Sequence, residues 1–323
     1  MIFSEPIGIH AYQLASILKR LVLLFRSLNL TYAQSGTIPS LGGRLAYIGD
    51  GESLPYIRET FATAEFEVLP QKIPIWRIGG VVRQMPAAGV WLCVEINRLL
   101  LPLMPGDGSL TFPWLRQRVY LDSKEYKSRR RRIEDNFGRK VRKYRYCYRL
   151  AQDAESIKHF YERLYLPHIA ARFGNACHAR SLGELKRAAR KGFLLQVLCD
   201  NRCIAGVVCS KGRNELSAKA FGHLPEEEYS LRLGGLSAAY YYLFEYAAKH
   251  SLACVDLMRS RPNTRDGVYC HKHRWGAIAE KDPWPHTAIR FFSPEGMPVP
   301  GPLETLLIWN GSTFREMGKI ART

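Results

Sequence analysis

The sequence predicts a mixed α/β chain built in two halves. Three observations carry that reading. A length of 323 residues suits two domains rather than one. Within 123–150 the apolar period switches from helical to strand spacing, which marks a boundary. Beyond it, three short apolar runs at 193–199, 203–211 and 215–223, separated by turn residues, read as an antiparallel meander. Hydrophobic residues make up 46% and charged residues 24%, ordinary globular values that exclude a disordered or fibrous chain. The halves are set at 1–122 and 144–323, joined by a basic helix over 123–143.

The elements follow in order. Leu14, Leu21, Leu24 and Leu28, with Lys19, Arg20 and Arg26 between them, give an amphipathic helix over about 10–28. It either faces the core or lies on anionic lipid. Its internal charges argue against a membrane-spanning helix and against a secretory leader. Apolar segments follow at 44–49, 64–69, 75–82 and 90–96, punctuated by Pro, Gly and Asp; 106–110 and 112–114 read as loop. Ser123 is an N-cap, and Ile133, Phe137 and Val141 repeat at helical spacing, weakened by Gly138. Tyr144, Tyr146 and Tyr148 alternate as a strand over 144–150. Asp153 then caps a helix over 153–171 that Pro167 should kink or end. A second helix covers about 181–191 and stops at Gly192. After the meander, Gly234 and Gly235 open a helix over 235–250, a strand spans 253–258, and an apolar run lies near 287–293.

Charge is unevenly placed. The chain has 47 Lys and Arg against 29 Asp and Glu, a net of +18. Residues 123–149 hold 12 basic and 3 acidic side chains, so +9 of the +18 sits in one segment. That segment is either a solvated connector or a surface for phosphates, RNA or an anionic membrane. The eight cysteines are dispersed without CxxC and read as buried, reduced thiols. Cys270, His271 and His273 form the one local cluster with ligand chemistry; their spacing is tight and no second cluster completes a site, so no metal is expected.

The order strand, two helices, three-strand meander, glycine loop, helix, strand resembles the Gcn5-related N-acetyltransferase (GNAT) fold. The donor loop of that family runs R/Q-x-x-G-x-G/A. Here Arg232-Leu233-Gly234-Gly235-Leu236-Ser237 fits, with Ser in place of the final Gly or Ala. The physics is independent of the family: glycines let backbone approach phosphate, and a helix N-terminus offers free N–H groups. The segments FYERLYLPHIAARFG, AFGHLPEEEYSLRLGG and DLMRSRPNTRDGVYCHKHRWG further resemble the Fem-type subgroup, in which two such halves are fused. The resemblance covers about 125–280. It implies an α/β (α+β) fold of two GNAT-like halves, each a mixed, mostly antiparallel sheet flanked by helices, with the first half degenerate.

The resemblance implies an N- or O-acyltransferase using acyl-CoA as co-substrate, with Arg232, Gly234, Gly235 and Ser237 at the donor. The acceptor would be an amine or hydroxyl, for instance on a sugar or an envelope or exopolysaccharide precursor. The alternatives are a Fem-type transferase that takes its acyl group from aminoacyl-tRNA, and a non-catalytic binder of nucleic acid or membrane surface. The expected compartment is the cytoplasm, or the inner membrane surface. Acyl transfer needs a proton acceptor, oxyanion donors and positioning, so no fixed triad is required. His223, at the end of the third meander strand, is either structural or the general base; its ordinary pKa near 6.5 suits the role. Asp266 and Lys272 could bind or deprotonate an acceptor, or be plain loop charges. Arg172, Arg259, Ser260 and Arg261 are substrate-binding candidates, the last three just past a strand end where α/β folds hold ligands. Asp256, inside an apolar strand, needs a cation, and Arg259 or Arg261 is the expected one. Tyr240, Tyr241 and Tyr242 cannot share one helix face, and Trp275-Gly276 reads as a packing anchor.

Overall fold

The structure, a computed structural model, describes residues 22, 24, 25, 28–38, 41, 43–60, 66–173, 179–224, 234–283 and 286–320. The terminal helix expected over 10–28 lies outside this set except for Val22, Leu24 and Phe25, which are helical, and Leu28. Arg232 and Cys177 also lie outside it. The chain forms two compact units. One comprises 1–115, 261–269 and 281–323; the other comprises 116–260 and 270–280.

The first unit holds β1 (Asn29–Ile38), β2 (Gly43–Gly49), α1 (Leu54–Thr60), β3 (Phe66–Pro74), α2 (Ile78–Ala87), β4 (Val90–Asn97) and β5 (Ser109–Thr111). Its sheet runs β3-β1-β2-β4-β13-β5, where β13 is Thr287–Phe292. β2 and β4 are parallel, from Arg44↔Val90 to Ile48↔Val94; β1 with β2 and with β3, and β13 with β4 and with β5, are antiparallel. The apolar segment 75–82 is helical: Ile75, Ile78 and Val82 recur at helical spacing and are buried. Within 106–110, expected as loop, Ser109 and Leu110 enter β5 because β13 offers them an open edge.

The second unit begins with β6 (Leu115–Tyr120), of which all but Leu115 belongs to it, and the basic helix α3 (Lys124–Ile133). Ser123 caps α3 by accepting from the Tyr126 N–H at 3.2 Å. A π turn over Glu134–Gly138 leads into α4 (Arg139–Lys143). Gly138 is buried there, and a Cβ on it would fall on the Glu134 carboxylate. Then come β7 (Cys147–Ala151), α5 (Ala154–Phe160), a π turn over Tyr161–Tyr165 and α6 (Leu166–Phe173). Pro167 does not end this helix. It sits at the second residue of α6, where its missing N–H follows the widened turn and costs little. α7 (Leu182–Arg190) opens on a capping box between Ser181 and Glu184.

The meander is β8 (Gly192–Cys199), β9 (Arg202–Lys211) and β10 (Glu215–His223), all antiparallel. Asp200 and Asn201 turn β8 into β9 with φ of 48° and 63°, residue types that tolerate this region. α8 (Gly235–Lys249), β11 (Cys254–Ser260), α9 (Gly267–Arg274) and β12 (Ile278–Lys281) follow, and the sheet order is β12-β6-β11-β10-β9-β8-β7. Phe193, Leu195 and Val197 pack with α8, whereas Leu194 and Val208 pack with α5 to α7, so the alternation of β8 puts a layer on each face. Strand, helices, meander, helix and a strand parallel to the last meander strand make this a GNAT-like fold. Beyond it, the C-terminal residues add a hairpin of β14 (Leu307–Trp309) and β15 (Phe314–Glu316).

Candidate active site

The site is set by where two parallel strands part. β10 and β11 pair only from Glu215↔Cys254 to Ser217↔Asp256. Past that point Met258 adopts φ 66°, a left-handed conformation that takes β11 out of register. Asp256 holds the bend, its Oδ1 accepting from the Met258 N–H at 2.9 Å. The strand edges beyond Ser217 and Asp256 therefore carry backbone groups that this ladder leaves unpaired.

Asp256 is fully buried, and its cation is Arg116 of β6 rather than Arg259 or Arg261. Arg116 Nε donates to Oδ2 at 2.9 Å, a second guanidinium nitrogen donates to the same oxygen, and Ser217 Oγ lies 3.4 Å from it. Burial pushes the Asp256 carboxyl up, but the Arg116 hydrogen bonds and charge win and hold it below the ordinary range. Asp256 is thus a structural ion pair at the root of the opening.

His223 ends β10, six residues beyond the last pair with β11, and is buried. Its Nδ1 lies 2.9 Å from the Leu224 carbonyl oxygen. A carbonyl only accepts, so Nδ1 is the donor here, and in the neutral ring the lone pair is the one on Nε2. The His223 ring packs against His168 of α6, centroids 4.4 Å apart and the rings tilted by 57°. Burial, then the neighbouring His223 and Arg172, push His168 down to about 4. His271 is likewise pushed down to about 4 by burial and by the charges of Arg172, Arg274 and Lys272. Its ring stands edge-on to Tyr240, which stacks on Phe221 of β10 at 4.1 Å. Two neutral histidines, His223 and the exposed Arg172 thus gather at the free end of β10. Lys219, half-buried and pushed down by that burial, is 4.0 Å from Met258 Sδ.

Gly234 is the N-cap residue of α8, with φ 75° and ψ 36° and no side-chain cap. Only a residue without Cβ takes that conformation freely. Gly235 is buried against Ile204 and Ala205, and Ser237 sits in the first turn. The other candidates scatter. Lys272 is buried and donates to the Arg259 carbonyl oxygen at 2.6 Å, tying α9 to the end of β11. Ser260 is 1% exposed, and its Oγ has no partner among the described residues. Asp266 and Arg261 belong to the first unit. Asp266 Oδ1 accepts from the Tyr269 N–H at 2.7 Å, and Arg261 lies over Trp114 at 3.8 Å and Tyr56 at 4.5 Å.

The three consecutive tyrosines diverge as expected. Tyr240 is in the core, Tyr241 donates to Glu134 at 3.0 Å and Tyr242 donates to the Tyr146 carbonyl. Trp275 is fully buried and stacks with Phe137 at 4.5 Å. Cys147 departs from the buried-thiol reading: it lies exposed on an edge strand. His168 was not among the sequence candidates; the signal was its position one turn before Arg172 on the same helix. No cluster of three or more His, Cys, Asp or Glu able to hold a metal occurs among the described residues. No helix among them is long and apolar enough to cross a membrane.

No protein-family model matches the chain, and no curated protein matches it. Among solved structures it is similar to FemX, at 12% identity over 81% of this chain and 84% of that one, with a TM-score of 0.43. It is similar to L-PGS from Bacillus licheniformis, at 11% identity over 88% and 92%, TM-score 0.39. It is also similar to a GCN5-related N-acetyltransferase from Kribbella flavida, at 15% identity over 91% and 98%, TM-score 0.27. The fold assignment rests on the strand order and the opened parallel pair described above.

Proposed function

We propose that the chain is a GNAT-type acyltransferase that moves an acyl group from acyl-CoA to an amine or hydroxyl. The observation that carries this reading is the parallel pair that opens after Ser217↔Asp256 beside a glycine-opened helix. An acyl donor fits such an opening because the freed strand edges offer N–H groups to its carbonyl and to the oxyanion that forms from it. The first N–H groups of α8, which no side chain caps among the described residues, can take the donor's phosphates, with Arg232 adding a charge.

In this mechanism His223 Nε2 accepts the proton of the attacking N–H or O–H, while its Nδ1–H stays anchored on Leu224. The acceptor heteroatom bonds to the acyl carbon, the carbonyl oxygen becomes an oxyanion, and the C–S bond then breaks. The departing thiolate takes up the proton that His223 accepted, which returns the base to its starting form. His168, neutral, packs beside the base without placing a second positive charge next to it.

A second reading takes the acyl group from charged tRNA, favoured by the cations of α3 and α4. Calorimetric titration with acetyl-CoA at low and moderate salt separates the two. Saturable binding that survives salt and is lost in Arg232→Glu supports the CoA donor. Binding of charged tRNA alone, with none of acetyl-CoA, overturns it in favour of the second reading.

A further inference from the structure

The cations of the basic segment are not equivalent. Arg139 pairs with Asp135 at 3.1 Å, Arg142 pairs with Glu134, and Arg129 donates to His273 Nε2 at 2.9 Å. Glu134 is drawn off further by the Tyr241 hydroxyl. Two cations, Arg132 and Lys140, instead face a cavity of about 520 Å3, joined there by Arg274 from the end of α9. Asn136, Ile133 and Phe137 complete its lining, and no carboxylate takes part. Residues 132, 133, 136, 137 and 140 stand at i, i+1, i+4, i+5 and i+8, a spacing that shares one side of a helix, and the π turn over Glu134–Gly138 lies within that run.

Three like charges around one cavity repel one another unless an anion enters. A second observation places that anion. Lys140 runs alongside the start of α8: a Cβ on Gly234 would lie 3.6 Å from Lys140 Cδ and 3.9 Å from Nζ. Lys140 therefore links the cavity to the N-terminus of a 15-residue helix that has no side-chain cap among the described residues. Ile133 and Phe137 give the cavity an apolar side, suited to the carbon skeleton of an ester rather than to a bare hydrated ion.

We propose that this cavity is a phosphate-ester subsite, in which Arg132, Lys140 and Arg274 hold a phosphoryl group, Asn136 donates from its amide, and Ile133 and Phe137 cover the esterified carbon. The ligand takes a phosphate here in addition to any bound at the start of α8. Its identity as the acyl donor rests on the transferase reading; the subsite itself does not. The same chemistry comes from a nucleotide thioester with a phosphate beyond its pyrophosphate, or from a phosphodiester of RNA.

The test is calorimetry on the full chain with inorganic pyrophosphate, coenzyme A, 3′-dephospho-coenzyme A and deacylated tRNA, at two salt concentrations. Lys140→Gln and Arg274→Gln should each weaken binding of the phosphate ligand about tenfold or more. Each should also lower the dependence of log K on log salt by about one. Arg187→Gln and Arg213→Gln remove the same charge from exposed sites outside α3, α4 and the cavity and should leave affinity within about twofold. A cavity-specific loss seen with coenzyme A and absent with its 3′-dephospho form identifies the nucleotide; a loss seen only with tRNA identifies the phosphodiester. Equal losses in both sets of variants, or no loss from the cavity set, overturn the proposal. Pyrophosphate binding needs no acyl chemistry, so the subsite can stand where thiol release from acetyl-CoA fails, and can fall where it succeeds.

Discussion

Acidifying the protein should expose the cost of keeping His168 neutral. In the folded chain its imidazole is pushed from 6.5 down to about 4 by burial, with His223 and Arg172 adding to it. The side chain is 8% exposed, so solvent does little to screen these effects. Because the folded pKa is depressed, the unfolded chain takes up the proton first as pH falls. The stabilisation is complete above about 6.5 and disappears as pH drops through about 4. The gap between the two values corresponds to about 3 kcal/mol, of which roughly 2 kcal/mol is lost by pH 5. Chemical denaturation of wild type and His168→Gln at pH 7.5 and pH 5 measures it, the variant removing this part of the pH dependence. Imidazole proton resonances followed through the same range give the pKa directly. If His168 titrates near 6.5, or if both proteins lose the same stability, the packing of the histidine pair does not work as described and His223 loses its neutral neighbour.

Glu95, fully buried in β4, supplies the opposite slope. It accepts from Tyr47 Oη at 2.5 Å, from the Ser53 N–H at 2.8 Å and hydroxyl at 2.5 Å, and from Thr287 Oγ1 at 3.2 Å. Burial, then the Asp50 charge, still raise it to about 7 against these bonds. A raised folded pKa means that stability present below about 4.5 falls as pH rises through about 7, by an amount on the order of 3 kcal/mol. Glu95→Gln should flatten that slope in thermal or denaturant unfolding at pH 5 and pH 8. Arg116→Ala strands the Asp256 carboxylate without its cation and should cost about 3–5 kcal/mol in denaturant unfolding, whereas Arg116→Met with Asp256→Leu should recover most of it. A single variant as stable as wild type would remove Asp256 from the root of the opening.

Local signals made the second unit readable. Asp153 and Ser181 mark helix starts because their side chains meet the backbone three residues on, and Asp200-Asn201 marks a turn because those residues tolerate positive φ. What the sequence concealed was long-range. Arg116 and Asp256 are 140 positions apart, and nothing near Asp256 distinguishes Arg116 from Arg259 or Arg261, which are closer in the chain. His168 and His223 meet because α6 continues past Pro167, and hydropathy cannot show a π turn that lets it do so. The run near 287–293 is evident in the sequence only as apolar; its place as a strand between β4 and β5 is set by which edges are open. The glycines at 234 and 235 were legible as a helix opening; the cavity beside them was not, since Arg274 comes from a different helix.

The position of β13 also bears on the order in which the two sheets can close. β5 pairs with β13 and β13 with β4, so the first sheet joins β5 to its neighbours only once residues 287–292 have been made. The second unit has all its strands by residue 281. A ribosome delivers the N-terminal unit first, yet that unit is the later one to close. Its early strands must wait, with an open edge on β4, while the rest of the chain emerges.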